Sequence, residues 1–381
     1  MWTRRTALRA LPGIAGIARL RAAGPITIPA RLNDFQQIYV PVRINGSAPL
    51  WFELDTGGGG ALFFIDTVRA AAIGVRATTL GRSAGPIDNQ MGTDGRTVVT
   101  AAFPGLTLRD QQLVIQPRPM EKEGIIGLSV FSRYVAELDY EAPALRLHDP
   151  GSAGGGPALP FALEGNNPVV TAILTLPGGD EVRGRFVVDT GAGGSILYLA
   201  RSFVDRNHLI GRGLRWVPDS VGLQAARIER FSLGAWKIEK PVIRQFPARG
   251  FGGGPEPDGL IGAEFLRRFR VLVDYAGTRI ALTPNSRYEE PSRFDASGLR
   301  VHRSPAVRDG FPIFLVVPET PAAEAGLRES DILLALDGIP ADRMSPGVAA
   351  EALSHDGREC VLLIQRENEV FTVKLKLRNL L

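Results

Sequence analysis

The chain has one cysteine, Cys360, in 381 residues. That excludes an internal disulfide and any multi-cysteine metal site. Cys360 lies in the strand-like run Cys360-Val361-Leu362-Leu363-Ile364 and reads as a small core residue, not a nucleophile. There are only four histidines, His148, His208, His302 and His355, and none stands at metal-ligand spacing from another. Each is expected on the surface or in a turn, so no metal and no cofactor are implied. No run approaches the ~18 apolar residues of a membrane span. Glycines 57 to 60 are followed by no Gly-Lys-Ser/Thr, which excludes a phosphate loop. A one-signed charge surplus is also missing: 44 basic residues stand against 40 acidic ones, scattered, with no basic stripe and no aromatic interleaving. Nucleic acid is therefore not an expected partner.

What is present is glycine (44) and proline (28), the signature of short strands joined by turns. The length asks for two or three domains. Two tripeptides stand out, Asp55-Thr56-Gly57 and Asp189-Thr190-Gly191. Each closes a buried strand-like run, Leu50 to Leu54 before the first and Arg185 to Val188 before the second. The alternating segment Gln37 to Ile44, the turn Asn45-Gly46 and the return from Leu50 read as a hairpin delivering Asp55. A second hairpin, turning at Pro177-Gly178-Gly179-Asp180, delivers Asp189. One such triplet is weak evidence, an ordinary turn after a strand. Two copies with matched surroundings are stronger. From Asp55 to the Gly of Ile125-Ile126-Gly127 is 72 residues, and from Asp189 to the Gly of Leu260-Ile261-Gly262 is 73. Twelve residues further on, both copies reach Asp-Tyr: Asp139-Tyr140 and Asp274-Tyr275. A repeat of this length is a duplicated domain, not a solenoid unit. Asp139 and Asp274 are expected to pair with backbone groups or an arginine at strand ends.

Short helices are expected over Asp66 to Ile73, Ser129 to Tyr134 and Ala263 to Phe269. The polar segment Ser83 to Thr100 reads as an exposed hairpin or long loop, followed by strand pieces at Leu106 to Leu108 and Leu113 to Gln116. The boundaries that follow are 25–150 for a first lobe, a glycine-rich linker at 151–157, and 158–290 for a second lobe. A small α+β unit takes 297–381. Residues 1–24 carry the arginine pair Arg4-Arg5, a weakly apolar stretch from Leu11 to Leu20 and the small residues Ala22-Ala23-Gly24. This is similar to a bacterial twin-arginine export signal and implies an exported, periplasmic protein. A basic, disordered N-terminus in a cytoplasmic protein is the alternative.

On the paired triplets, the paired apolar-apolar-Gly strands and the repeated Asp-Tyr ends, the chain resembles the aspartic proteases in their pepsin-like and retropepsin-like forms, over roughly 38–283. The resemblance implies a mostly β fold of two barrel lobes related by a pseudo-twofold, each giving one catalytic acid, Asp55 and Asp189. Thr56 and Thr190 would lock the two loops together, and Gly57 and Gly191 would let the backbone approach and donate to the carboxylates. Both lobes lie in one chain, so a monomer suffices. The implied activity is endopeptidase hydrolysis of peptide or protein substrates by water. Gly58 and Ala192 stand where such enzymes often carry a hydroxyl, which removes a donor to the dyad and implies activity nearer neutral pH. The flap would be Ser83 to Thr100, without its usual tyrosine, or the second-lobe segment near Ser220 to Leu223. Two other readings are open: a non-catalytic peptide-binding protein that keeps the fold, and a dimer using one Asp per chain.

Residues 297–381 resemble a PDZ domain of the bacterial protease-associated kind, on Pro321 to Leu327, Asp331-Ile332-Leu333 and Asp337-Gly338. The resemblance implies a peptide or protein ligand. Ser330 replaces a usual Gly, and the nearest match to a carboxylate loop is Gly310-Phe311-Pro312-Ile313, where Pro312 cannot donate. A docking or packing module is the alternative to a terminus reader.

Overall fold

The computed structural model describes residues 24–58, 62–84, 91–152, 157–220, 223–246, 257–304 and 306–381. The export-like segment therefore lies outside the described residues, apart from Gly24. Among the described residues the fold is mostly β, in four sheets. Among the described residues no helix is long and apolar enough to cross a membrane.

Each lobe is built around the strand that ends in its Asp. In the first, Ile38–Ile44 turns at Asn45 and Gly46, both at positive φ, and pairs antiparallel with Leu50–Leu54. The strand Gly124–Ile126 then runs parallel to Leu50–Leu54, with Leu54 opposite Ile126, and antiparallel to Phe63–Asp66 on its other side. The second lobe repeats this: Gly259–Ile261 runs parallel to Glu181–Val188, with Val188 opposite Ile261, and antiparallel to Leu197–Leu199. The strands entering and leaving each Asp loop are thus separated by one apolar strand. It fixes the loop by equivalent bonds, Asp55 N to Ile126 O and Asp189 N to Ile261 O, both 2.9 Å.

The lobes meet in a six-stranded sheet whose central pair is Val135–Asp139 against Phe269–Asp274. Glu137 faces Leu272. These positions are equivalent in the repeat that relates Asp139 to Asp274, so the pseudo-twofold axis passes between them. The expected role of both strand-end acids holds. Asp139 accepts from Glu141 N, Ala142 N and Arg146, and Asp274 from Gly277 N and Arg279. One apolar core runs through both lobes and this sheet, from Ile28 to Leu282.

Several local expectations change. Of the two readings of Ser83 to Thr100 the hairpin holds and the long loop does not: Thr79–Ala84 pairs antiparallel with Met91–Phe103, and 85–90 lie outside the described residues. The two pieces after it belong to one strand, Leu106–Gln116, paired with Met91–Phe103 on either side of a register shift at Arg109 and Asp110, the latter at positive φ. The helix expected from Ser129 is a single 3-10 turn, Leu128–Phe131. His148 is neither in a turn nor fully exposed. It sits in the strand Ala144–His148, its Nε2 2.7 Å from Glu137.

The C-terminal unit has its own core, including the buried Cys360. Its sheet runs Leu299–Val301, Phe311–Val316, Ile332–Leu336, Glu359–Arg366, Glu369–Lys376. Gly310-Phe311-Pro312-Ile313, the nearest match to a carboxylate loop, runs into the strand Phe311–Val316. Phe311–Val316 is paired on both sides, Val301 to Ile313 and Phe311 to Leu333, so it offers no free edge to an incoming strand. The edge strands are Leu299–Val301, next to Phe311–Val316, and Glu369–Lys376 at the far side. Just before Leu299, the Asp295 carboxylate accepts from Ser297 N, Gly298 N and the Ser297 hydroxyl and pairs with Arg300.

This unit is fastened to both lobes. Arg300 bonds the buried Asp219 in the hairpin Val217–Ser220/Leu223–Arg227, the second flap candidate, and Arg244 grips the same carboxylate from the other side. Leu380 packs with Val217, Ala225 and Val242 of the second lobe. On the first lobe, Asp34 accepts from Ser345 Oγ at 2.8 Å and Gly347 N at 3.1 Å.

Candidate active site

The two Asp-Thr-Gly loops meet face to face on the pseudo-twofold. Thr56 N donates to Thr190 Oγ1 and Thr190 N to Thr56 Oγ1, both at 3.1 Å. Each hydroxyl then donates to a main-chain oxygen of the opposite lobe, Thr56 to Val188 and Thr190 to Leu54. Four bonds form a closed lattice between two buried threonines. A hydroxyl can accept one N–H while donating its proton, which is why this position needs Thr or Ser.

The glycines matter for what lies opposite them. A Cβ on Gly57 would stand 2.3 Å from an oxygen of the Asp189 carboxyl, and one on Gly191 would stand 2.6 Å from Asp55 Cγ. Each carboxyl thus lies against the bare backbone of the other lobe. The expectation of backbone donation also holds, within each loop: Gly57 N and Gly191 N donate at 2.8 Å to Oδ1 of Asp55 and of Asp189.

The pair is not symmetric. Asp55 Oδ1 accepts a second amide, Gly58 N, at 2.7 Å. The matching Ala192 N goes instead to the main-chain oxygen of Asp189. Both carboxyls are buried. Burial and then the charge of Asp55 hold the Asp189 carboxyl well above the usual carboxylate range. Asp55 thus accepts two amide donors and Asp189 one, so the geometry favours the negative charge on Asp55 and the shared proton on Asp189.

Three nearby groups escaped the sequence reading. Glu53, two residues before Asp55, is fully buried, where the second-lobe equivalent is Val187. It is held by Gln37 Nε2 at 2.8 Å, the Tyr39 hydroxyl at 3.1 Å and the Lys122 ammonium. Burial, opposed by Lys122 and reinforced by the charge of Asp55, raises its carboxyl to about 7. The tyrosines of the two Asp-Tyr ends are also buried. Their phenols are raised by burial and then by the dyad: Asp189 for Tyr140, Asp55 and Asp189 for Tyr275. The repeat of Asp-Tyr was the available signal for the tyrosines. An acid inside an apolar strand was the signal for Glu53. Among the described residues no cluster of His, Cys, Asp and Glu is arranged to hold a metal ion.

The chain is similar to known proteins over parts of its length. Residues 40–130 match the family model described as aspartyl protease, and residues 315–366 the one described as PDZ domain. No curated protein matches the chain. Among solved structures, the aspartic proteinase from Irpex lacteus is similar with a TM-score of 0.50 at 13% identity, over 69% of this chain and 98% of that one. At that identity the likeness is one of fold. The chain thus joins a two-lobed aspartic proteinase fold, with an aspartyl protease match in its first lobe, to a C-terminal PDZ domain.

Proposed function

We propose that the protein is an aspartic endopeptidase, with Asp55 and Asp189 as its catalytic pair and water as the nucleophile. The observation that carries this reading is the placement of each carboxyl against the glycine of the opposite loop, inside the closed threonine lattice. Two acids so close share one proton. Asp55, with two amide donors, takes a proton from water as it attacks the scissile carbonyl. Asp189, protonated, donates a hydrogen bond to the carbonyl oxygen and then passes its proton toward the leaving amine. No covalent intermediate forms, and none of these steps calls for a metal or organic cofactor.

The raised Asp189 carboxyl sets the pH range. The reaction needs one proton on the pair, and that proton is lost as pH rises through the Asp189 value, so activity extends above the ordinary carboxylate range. The test is cleavage of a denatured protein between pH 2 and 9, with and without a transition-state peptide inhibitor. The expected result is inhibitor-sensitive cleavage with its optimum above pH 4. An optimum well below 4 contradicts the pH argument. No cleavage at any pH favours a binding protein on the same fold.

The PDZ domain, in this reading, docks a substrate or partner peptide by strand addition at Leu299–Val301, the edge strand beside Phe311–Val316. Asp295 already fills the amides beside that edge, so an internal segment suits it better than a chain terminus.

A further inference from the structure

The buried acid Glu53 has no counterpart in the second lobe, and its partners reach across to the opposite Asp loop. Gln37 Nε2 donates both to Glu53 Oε1 at 2.8 Å and to the main-chain oxygen of Gly191 at 2.5 Å. Gln37 is itself fixed: its side-chain oxygen accepts from Asn33 Nδ2 at 2.7 Å, and its N–H bonds Asn33 Oδ1 at 3.0 Å. The same loop reaches the second lobe again, with Gly194 N donating to Phe35 O at 3.1 Å. A chain of bonds therefore runs from Glu53 through Gln37 to Gly191, whose N–H holds Asp189.

We propose that Glu53 and Gln37 are positioning residues for the Asp55–Asp189 pair. Gln37 fixes the second-lobe loop at the Gly191 carbonyl, and the negative charge of Glu53, when it forms, holds the pair's shared proton in place. This rests on the endopeptidase reading. The groups facing Glu53 are Tyr39 on the neighbouring strand, Lys122 from the segment before Gly124, Asp55 on its own strand and Asp189 opposite. Ionisation of Glu53 adds a like charge beside the dyad. Tyr39, whose phenol is raised by burial and by Glu53, stays neutral and donates. An apolar residue at position 53, as at Val187, would lack both the Gln37 link and the charge.

The test uses Glu53→Gln, which keeps an acceptor for Gln37 but cannot ionise, and Gln37→Leu, which breaks the bridge. For Glu53→Gln the alkaline limb of kcat/KM is expected to move down by about one pH unit. Activity then falls roughly tenfold near pH 7.5 and stays within about twofold near pH 4.5. For Gln37→Leu, kcat falls about tenfold across the profile with KM little changed, because the loop and not substrate binding is disturbed. A Glu53→Gln profile that superimposes on wild type, or a Gln37→Leu variant with wild-type kcat, overturns the proposal. A second readout needs no substrate. A carboxyl raised on folding stabilises below its unfolded value and loses that contribution as pH rises through the folded one. The thermal midpoint of the wild type should therefore decline between pH 4.5 and 7 more steeply than that of Glu53→Gln. Parallel declines overturn the proposal whether or not the protein cleaves peptides. An inactive wild type with diverging declines overturns the endopeptidase reading alone.

Discussion

Replacing Thr56 by Val tests the lattice that joins the lobes. Val keeps the shape and removes the hydroxyl. Thr190 N–H then loses its acceptor, and the main-chain oxygen of Val188 loses its donor. Both Thr residues are buried, so water does not readily replace the bonds. Each orphaned buried group costs about 1–3 kcal/mol, or roughly 2–6 kcal/mol for the two. That is a large share of a typical stability of about 5–15 kcal/mol. With a slope of about 3 kcal/mol per M, the urea midpoint should fall by about 0.7–2 M. Thr56→Ser keeps the oxygen and should stay within about 1 kcal/mol of wild type. Tryptophan fluorescence reads the transition, since Trp51 lies in the strand leading to Asp55 and Trp236 in the second lobe. The reasoning fails if Thr56→Val unfolds within 0.3 M of wild type, or if Thr56→Ser is destabilised as much as Thr56→Val.

Two further predictions concern the loops and the PDZ junction. Gly57→Ala places a methyl 2.3 Å from the Asp189 carboxyl oxygen, at a position that is not at positive φ. It should keep its circular dichroism and lose about 100-fold in kcat/KM, and retention of half the activity would refute the close approach. Asp219→Asn leaves the guanidiniums of Arg244 and Arg300 facing each other without their shared anion. A loss of about 3–5 kcal/mol is expected at pH 7. Those two arginines outweigh burial and lower the Asp219 carboxyl, so its contribution is present above the unfolded aspartate value and disappears as pH falls through the folded one. Variant and wild type should therefore converge in urea titrations near pH 2. An equal gap at both pH values would contradict the assignment.

Some of this was legible because it is written in the backbone pattern. Asp-Thr-Gly after an apolar run, the Ile-Ile-Gly and Leu-Ile-Gly strands and the Asp-Tyr ends mark positions whose surroundings repeat. The sheet then realises them symmetrically, down to Glu137 facing Leu272. What the sequence hid depends on partners distant in the chain. Glu53 reads as one polar residue in a buried strand, and only the fold brings Gln37, Tyr39 and Lys122 around it. Leu106 to Leu108 and Leu113 to Gln116 read as separate pieces, yet they form one strand because a long neighbour pairs with both across a register shift at Arg109-Asp110. The free edges of the PDZ sheet follow from strand order, which residue alternation does not encode. The segment Gly310 to Ile313, the nearest match to a carboxylate loop, leads into a strand that lies between two others.

The central claim is that Asp55 and Asp189 act as one catalytic unit. Its most direct test is the rate at which Asp55→Asn and Asp189→Asn cleave a denatured protein substrate, followed by mass spectrometry of the products, with folding checked by circular dichroism. Each folded variant should lose at least about 1,000-fold, since either substitution removes the proton exchange between the two acids. Either folded variant retaining more than about a tenth of the wild-type rate would contradict the paired-acid account, because loss of a positioned acid or base costs roughly 100-fold or more.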